Sequence, residues 1–189
     1  YGLRYDAERS KILFERKWLR RFEALLPQPA AILDVGCGAG EPIARYFIQN
    51  GHEVTGIDFA ASMIALAKQR FPNHRWQVAD MRTLDLSRQF DGIIGWHSFF
   101  HLTPAEQRST LVRFAGHLRP EGALLVTVGP RAGETIGQVG GRQVYHSSLS
   151  PEAYQEILQR LGMDVIDFVA EDPQCDSATV LLAQKGSAA

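Results

Sequence analysis

Ala31-Ile32-Leu33-Asp34-Val35 is an apolar run of strand length, and Gly36-Cys37-Gly38-Ala39-Gly40 follows it at once. Three glycines in five residues let the backbone take positive φ and let a ligand lie directly on the main chain. A plain strand-to-helix connection rarely needs that many. A helical pattern over 41–50 completes a strand-turn-helix unit, and the helix start offers unpaired N–H groups suited to a carboxylate. Two phosphate-binding forms of such a turn do not fit. The dinucleotide form, G-x-G-x-x-G/A, needs a small sixth residue where Glu41 stands, and no Gly-Lys-Ser/Thr follows. The turn therefore cradles something other than a pyrophosphate.

Further strands alternate with helices. Glu53-Val54-Thr55-Gly56-Ile57-Asp58 reads as a strand ending in an acid about 20 residues beyond the glycine turn, the separation at which Rossmann-like folds set a carboxylate on ribose hydroxyls. A helix-capping role is the alternative for Asp58. A helix over 60–71 stops at Pro72, and Arg75-Trp76-Gln77-Val78-Ala79-Asp80-Met81 forms a short strand ending in a second acid. Phe90-Asp91-Gly92-Ile93-Ile94-Gly95-Trp96 is a buried strand. Thr103-Pro104-Ala105-Glu106 opens a helix with an N-cap, a proline at the first position and a capping-box glutamate, and that helix ends near Leu118. Arg119-Pro120-Glu121-Gly122 turns into a strand over 123–128. The glycine-rich stretch 129–149 reads as a mobile loop or short hairpin beside the site. Ser150-Pro151 caps a helix to Leu161, and strands over 163–170 and 178–184 form a final hairpin. Such alternation implies a mostly parallel sheet covered on both faces.

Leu33-Asp34-Val35-Gly36-Cys37-Gly38-Ala39-Gly40 resembles the first motif of the class I S-adenosylmethionine-dependent methyltransferases, and the family's other motifs recur in order to about residue 130. The resemblance implies a Rossmann-like sandwich with a mostly parallel seven-stranded sheet, an antiparallel last strand and helices on both faces. It implies S-adenosyl-L-methionine as cofactor and S-adenosyl-L-homocysteine as product, held by Asp34, Gly36, Cys37, Gly38, Gly40, Asp58, Phe59, Met63, Asp80, Met81 and Trp96. In that family Asp80 would accept the adenine amino group beside the Met81 backbone, although a surface-loop aspartate is the plain alternative. The family also carries an N-terminal helix as a lid, here residues 1–29 before a core of 30–189, which would bring Tyr5 or Trp18 towards ligand if neither simply packs.

Parallel sheets open their ligand crevice at the carboxyl ends of strands. Trp96-His97-Ser98-Phe99-Phe100-His101-Leu102 should therefore face the methyl group. It departs from the Asn/Asp-Pro-Pro-Tyr/Phe run of enzymes that methylate base nitrogens. His97 and His101 are the candidate bases, since imidazole titrates near neutrality, with substrate orientation or packing as the other roles open to them. Phe100, Tyr145 and His146 join Tyr5 as candidate acceptor contacts, and Phe99 competes between pocket and core.

Other functions are bounded by composition. A chain of 189 residues with 45% hydrophobic and 22% charged residues suits one domain with a substantial core. No apolar run is long enough for a membrane helix. The net charge of −1 exerts no general pull on nucleic acid, though residues 1–29 hold seven Arg or Lys against four Asp or Glu. Only the cluster Arg16, Lys17, Arg20 and Arg21 could serve an RNA or protein substrate, and a solvated helix face is its ordinary meaning. Cys37 and Cys175 have no metal or redox spacing, so no metal is expected, and few cysteines suit a reducing cytoplasm. Tyr1 at the start leaves a trimmed segment open. The reading is a methyltransferase acting on a small molecule, as monomer or homodimer. A non-catalytic cofactor-binding protein is the rival from another class.

Overall fold

The computed structural model describes residues 13–139 and 141–187. Its centre is a seven-stranded sheet made of β1 (Ala31–Val35), β2 (Glu53–Asp58), β3 (Arg75–Val78), β4 (Phe90–Gly95), β5 (Leu118–Val128), β8 (Met163–Asp172) and β9 (Ala178–Lys185). The order across it is β3-β2-β1-β4-β5-β9-β8. The first five strands pair in parallel and β9 runs antiparallel between β5 and β8, as expected. The chain reverses its direction of sheet growth between β1 and β4, and a crevice opens beyond the carboxyl ends of strands at such a switch.

Alternation along the strands sends neighbours to opposite faces. Leu33, Ile93, Leu124 and Leu181 face one core with α4 (Pro104–His117) and α5 (Pro151–Arg160). Ile32, Ile94, Leu125 and Leu182 face the other with α1 (Arg16–Glu23), α2 (Ile43–Gln49) and α3 (Ala61–Arg70). The capping box at Thr103 forms as read, with Pro104 in the first turn and Glu106 closing it. Ser150 likewise caps α5. β5 begins earlier than expected. Leu118 already pairs with Phe90, residues 119–122 bulge out with Glu121 at φ 62°, and regular pairing resumes at Gly92 and Ala123.

The expected lid needs correction over its described part. α1 is no cover over the crevice but a layer of the core: Trp18, Leu19 and Phe22 have no exposed surface and pack on Ile32, Ile94 and Leu125. Trp18 is thus a packing residue, its indole N–H donating to Asp172 at 2.9 Å. The basic cluster is also partly absorbed, Lys17 pairing with Asp172 and Arg21 with Asp167. Residues 1–12, including Tyr5, lie outside the described residues.

The stretch 129–149 is a hairpin of β6 (Gly133–Val139) and β7 (Arg142–Ser148), a separate two-stranded sheet. A buried polar network ties its base to the domain. The Gln107 amide N–H group donates to the carbonyls of Leu102 and Ser147 at 3.1 and 2.9 Å, and the Tyr154 hydroxyl donates to Gln107 Oε1 at 2.6 Å. The Leu149 N–H donates to the Tyr154 hydroxyl at 3.2 Å. Such a network is strong only when complete, and here it fixes where the hairpin leaves the core.

Candidate active site

Gly36, Gly38 and Gly40 all stand at positive φ, at 74°, 55° and 80°, where a side chain is strained. They differ in what surrounds them. A Cβ on Gly36 would fall 2.4 Å from Ser98 Cβ, and one on Gly40 would fall 3.0 Å from the Phe71 ring. At Gly38 nothing lies within 4 Å of that position. Two glycines therefore admit protein, and the middle one faces open space. Ser98 completes the contact by donating from Oγ to the Val35 carbonyl at 2.7 Å, so the loop after β4 is bolted onto the turn. Cys37 is buried, and burial pushes its thiol well above the usual range. It is a small filler beside Gly56 rather than a nucleophile.

The carboxylate of Asp58 lies at the end of β2, buried at 9% exposure, with Oδ2 accepting the Gly38 N–H at 2.9 Å and Oδ1 the Ala60 N–H at 2.8 Å. Asp58 therefore ties the residue before α3 to the open glycine. Each oxygen keeps a further lone pair. The next residue, Phe59, is 83% exposed. Met81 reaches the same turn, its Cε 3.6 Å from the position of a Gly36 Cβ. Asp34 and Met63 are buried, at the end of β1 and on α3.

Asp80 stands beside Met81 as expected, but its carboxylate already has a partner. The Arg82 guanidinium grips both oxygens at 2.6–3.1 Å, and Arg82 Nη1 reaches Glu106 at 2.8 Å. Hydrogen bonding to Arg82 holds the Asp80 carboxyl below the usual range. Trp96 turns its side chain into the core with Ile94 and Leu125 and is 4% exposed.

His97 has φ 51° and its N–H donates to Thr127 Oγ1 at 2.8 Å. The left-handed turn costs about 1–2 kcal/mol and exposes the imidazole at the mouth of a cleft of about 480 Å³. Phe100, His146, Glu134 and Ser148 also line this cleft, together with Asp176 from the β8–β9 connection. Phe99 belongs to the core, with no exposed surface. The hairpin carries His146 to the turn after β4: its ring centroid is 4.9 Å from those of Phe100 and His101. Tyr145 donates to Glu134 at 2.6 Å, a bond that pushes its phenol up. Four of the sequence-read groups, His97, Phe100, His101 and His146, are thus brought together.

Sequence reasoning missed Ser98, Thr127, Gln107, Glu134 and Arg82. Gln107 left a trace, since with Thr110, Leu111 and Phe114 it falls on the buried stripe of α4, where a polar residue needs internal partners. The others carry no local signal.

Comparison with known proteins agrees with this geometry. The family model for a methyltransferase domain matches residues 32–122. A dTDP-3-amino-3,6-dideoxy-alpha-D-glucopyranose N,N-dimethyltransferase from Streptomyces fradiae is 34% identical over 141 residues, covering 67% of this chain and 54% of that protein. A malonyl-acyl-carrier-protein O-methyltransferase from Enterobacter lignolyticus is 34% identical over 99 residues, covering 52% and 38%. The chain thus spans about half the length, or less, of these curated relatives. The structure of an amino pentose methyltransferase from Micromonospora echinaspora, with its S-adenosylmethionine bound, matches with a TM-score of 0.73 at 21% identity, over 95% of this chain and 93% of that one. With strand order, glycine turn and family model in agreement, the chain belongs to the class I S-adenosylmethionine-dependent methyltransferase family.

Proposed function

We propose that this domain transfers the methyl group of S-adenosyl-L-methionine to a small-molecule acceptor, leaving S-adenosyl-L-homocysteine. The observation that carries the reading is one of adjacency. Gly38, with open space over its backbone, is hydrogen-bonded to Asp58, and the loop bolted to the same turn by Ser98 leads into the His97 cleft.

The cradle suits that cofactor: a Cβ at Gly38 would occupy the open approach, Asp58 keeps lone pairs for ribose hydroxyls, and the exposed Phe59 ring offers a face for adenine. Met81 and Asp80 would border the base, Asp80 accepting its amino group beyond the bonds it makes to Arg82. Bound there, the cofactor supplies a methyl group already activated on a sulfonium. The chain's own task is then alignment and exclusion of water. The cleft walls would hold the acceptor, and an imidazole there can take a proton when the acceptor must lose one.

A small acceptor is supported by the size of the cleft and by a relative whose name specifies a dTDP-linked amino sugar. Among the described residues no helix is long and apolar enough to cross a membrane. The pairing of Lys17 and Arg21 with carboxylates weighs against a nucleic-acid acceptor. The test is calorimetric titration with S-adenosylmethionine, S-adenosylhomocysteine and NADH in parallel. Micromolar binding of the first two alone is the expected result. Binding of NADH alone, or of none, overturns the reading.

A further inference from the structure

We infer that His146 is a catalytic residue of the cleft, the proton acceptor for an amine that enters as its ammonium, with His101 as its positioning residue. The inference rests on the methyl-transfer reading above. Its basis is how the hairpin delivers one imidazole onto another. His101 Nδ1 lies 3.0 Å from the Tyr145 carbonyl oxygen. A carbonyl only accepts, so Nδ1 carries a proton. Residue 146, next along β7, then sets its ring 4.9 Å from the His101 ring and 4.9 Å from Phe100. Below it runs Gly137 of β6, where a Cβ would lie 3.3 Å from His146 Cε1. The His146 ring is held between a bare stretch of backbone and two rings, and it lines the cleft that His97 opens.

His101 packs on His146, and the titratable and charged groups that share the cleft with it are His97 from the loop after β4, Arg131 before β6, Glu134 on β6, and Glu171 and Asp176 from the β8–β9 end. Burial, and then the neighbouring His101, lower its proton affinity, so it is neutral and able to accept a proton near pH 7. Such a weak base cannot ionise an aliphatic hydroxyl, but it can relieve an ammonium of its proton. Three carboxylates against one arginine on the cleft wall favour the entry of a cation. In the step itself a His146 ring nitrogen takes the ammonium proton. The freed nitrogen lone pair bonds to the methyl carbon of the sulfonium, and the carbon–sulfur bond breaks with its electron pair left on sulfur. The positive charge passes from sulfonium to the methylated nitrogen, and the proton on His146 leaves to solvent through the cleft.

The test uses the chain loaded with S-adenosylhomocysteine and two matched probe pairs, glucosamine against glucose and ethanolamine against ethylene glycol. Histidine ring C–H resonances, followed by NMR across pH, report the His146 midpoint. It should lie below the ordinary histidine range and move lower when an amine probe is added, since a nearby cation opposes imidazolium, and it should not move with the alcohols. With S-adenosylmethionine and the amines, turnover should fall as pH drops through that midpoint. His146→Gln should lower turnover about a hundredfold and move the acid limb up to the ionisation of the free amine, with S-adenosylhomocysteine affinity unchanged. His101→Gln should keep the limb and raise its midpoint. An unmoved midpoint with both amines, equal movement with the alcohols, or an acid limb that keeps the wild-type midpoint in His146→Gln would overturn the inference. Failure of the wild-type chain to bind S-adenosylhomocysteine would instead sink the methyl-transfer reading beneath it.

Discussion

The glycine turn draws its parts from residues 34–60, one strand-turn-helix-strand unit, while the cleft draws its parts from 97–100, 127–135, 146–148 and 171–179. In the first region the two hydrogen bonds of Asp58 join residues close in sequence, with Ser98 and Phe71 packed on from outside the unit. In the second, four segments far apart in sequence meet: sheet pairing and the His97–Thr127 bond join three of them, and the hairpin anchored by Gln107 and Tyr154 brings the fourth. A local unit announces itself by its residue spacing. An assembled one depends on the register of distant elements, which no spacing records.

Substitution can separate the two regions. The largest effect is expected from Gly38→Leu, which should abolish cofactor binding in calorimetry while costing only the left-handed strain, about 1–2 kcal/mol of stability. Intact affinity in a folded variant would remove the turn from the cofactor site. Gly36→Ala should do the reverse: a methyl driven into Ser98, added to that strain, should lower stability by about 3 kcal/mol in a denaturant titration. Asp58→Ala should weaken cofactor binding by about 2 kcal/mol, the scale of hydrogen bonds to a charged group. A loss of only a few tenths would place the ribose elsewhere.

Gln107→Ala probes the other region. Loss of its buried bonds to Ser147 and Tyr154 should cost about 1.5 kcal/mol of stability and slow methyl transfer by loosening the hairpin. Cofactor affinity should be unchanged. A fall in that affinity would show that the two regions are coupled. The smallest effect concerns acid. Burial alone would raise the Asp172 carboxyl, but bonds from the Gln174 N–H, the Trp18 indole and Lys17 hold it below the usual range. A depressed carboxyl contributes stability above its unfolded pKa and loses it as pH falls through the folded one. Asp172→Asn should therefore flatten the acid side of a melting-temperature profile below the ordinary carboxylate range. An unchanged profile would assign the acid sensitivity to other groups.

Much of the fold was legible because its signals are local. The run before Gly36, the acid ending β2, Thr103 with Glu106, and Ser150 with Pro151 each state an element boundary in a few residues, whereas β3 stops at Val78, short of the acid Asp80 that was read as its end. The end of β5 nearest α4 was less legible, since Leu118 joins the sheet only through its partner Phe90. The site divided in the same way. Asp58 stood where the spacing placed it, whereas Trp96, at an equally suggestive strand end, sends its ring into the core because strand alternation directs it to the α1 face. The Arg82 clamp on Asp80 was not foreseen, since an arginine two residues on has many other ways to point.

From the sequence alone come the strand-turn-helix unit, the order of strands and helices, the need for glycine in the turn, and the family. These depend on backbone conformation and short-range hydrogen bonds, which a handful of adjacent residues determine. Only the tertiary structure decided which of the three glycines faces open space, that the described N-terminal helix is core rather than cover, and that His146 comes to rest on His101. Those outcomes depend on which distant surfaces pack together. Packing is settled by the shape and polarity of the whole interior, so a residue's neighbour there cannot be read from its place in the chain.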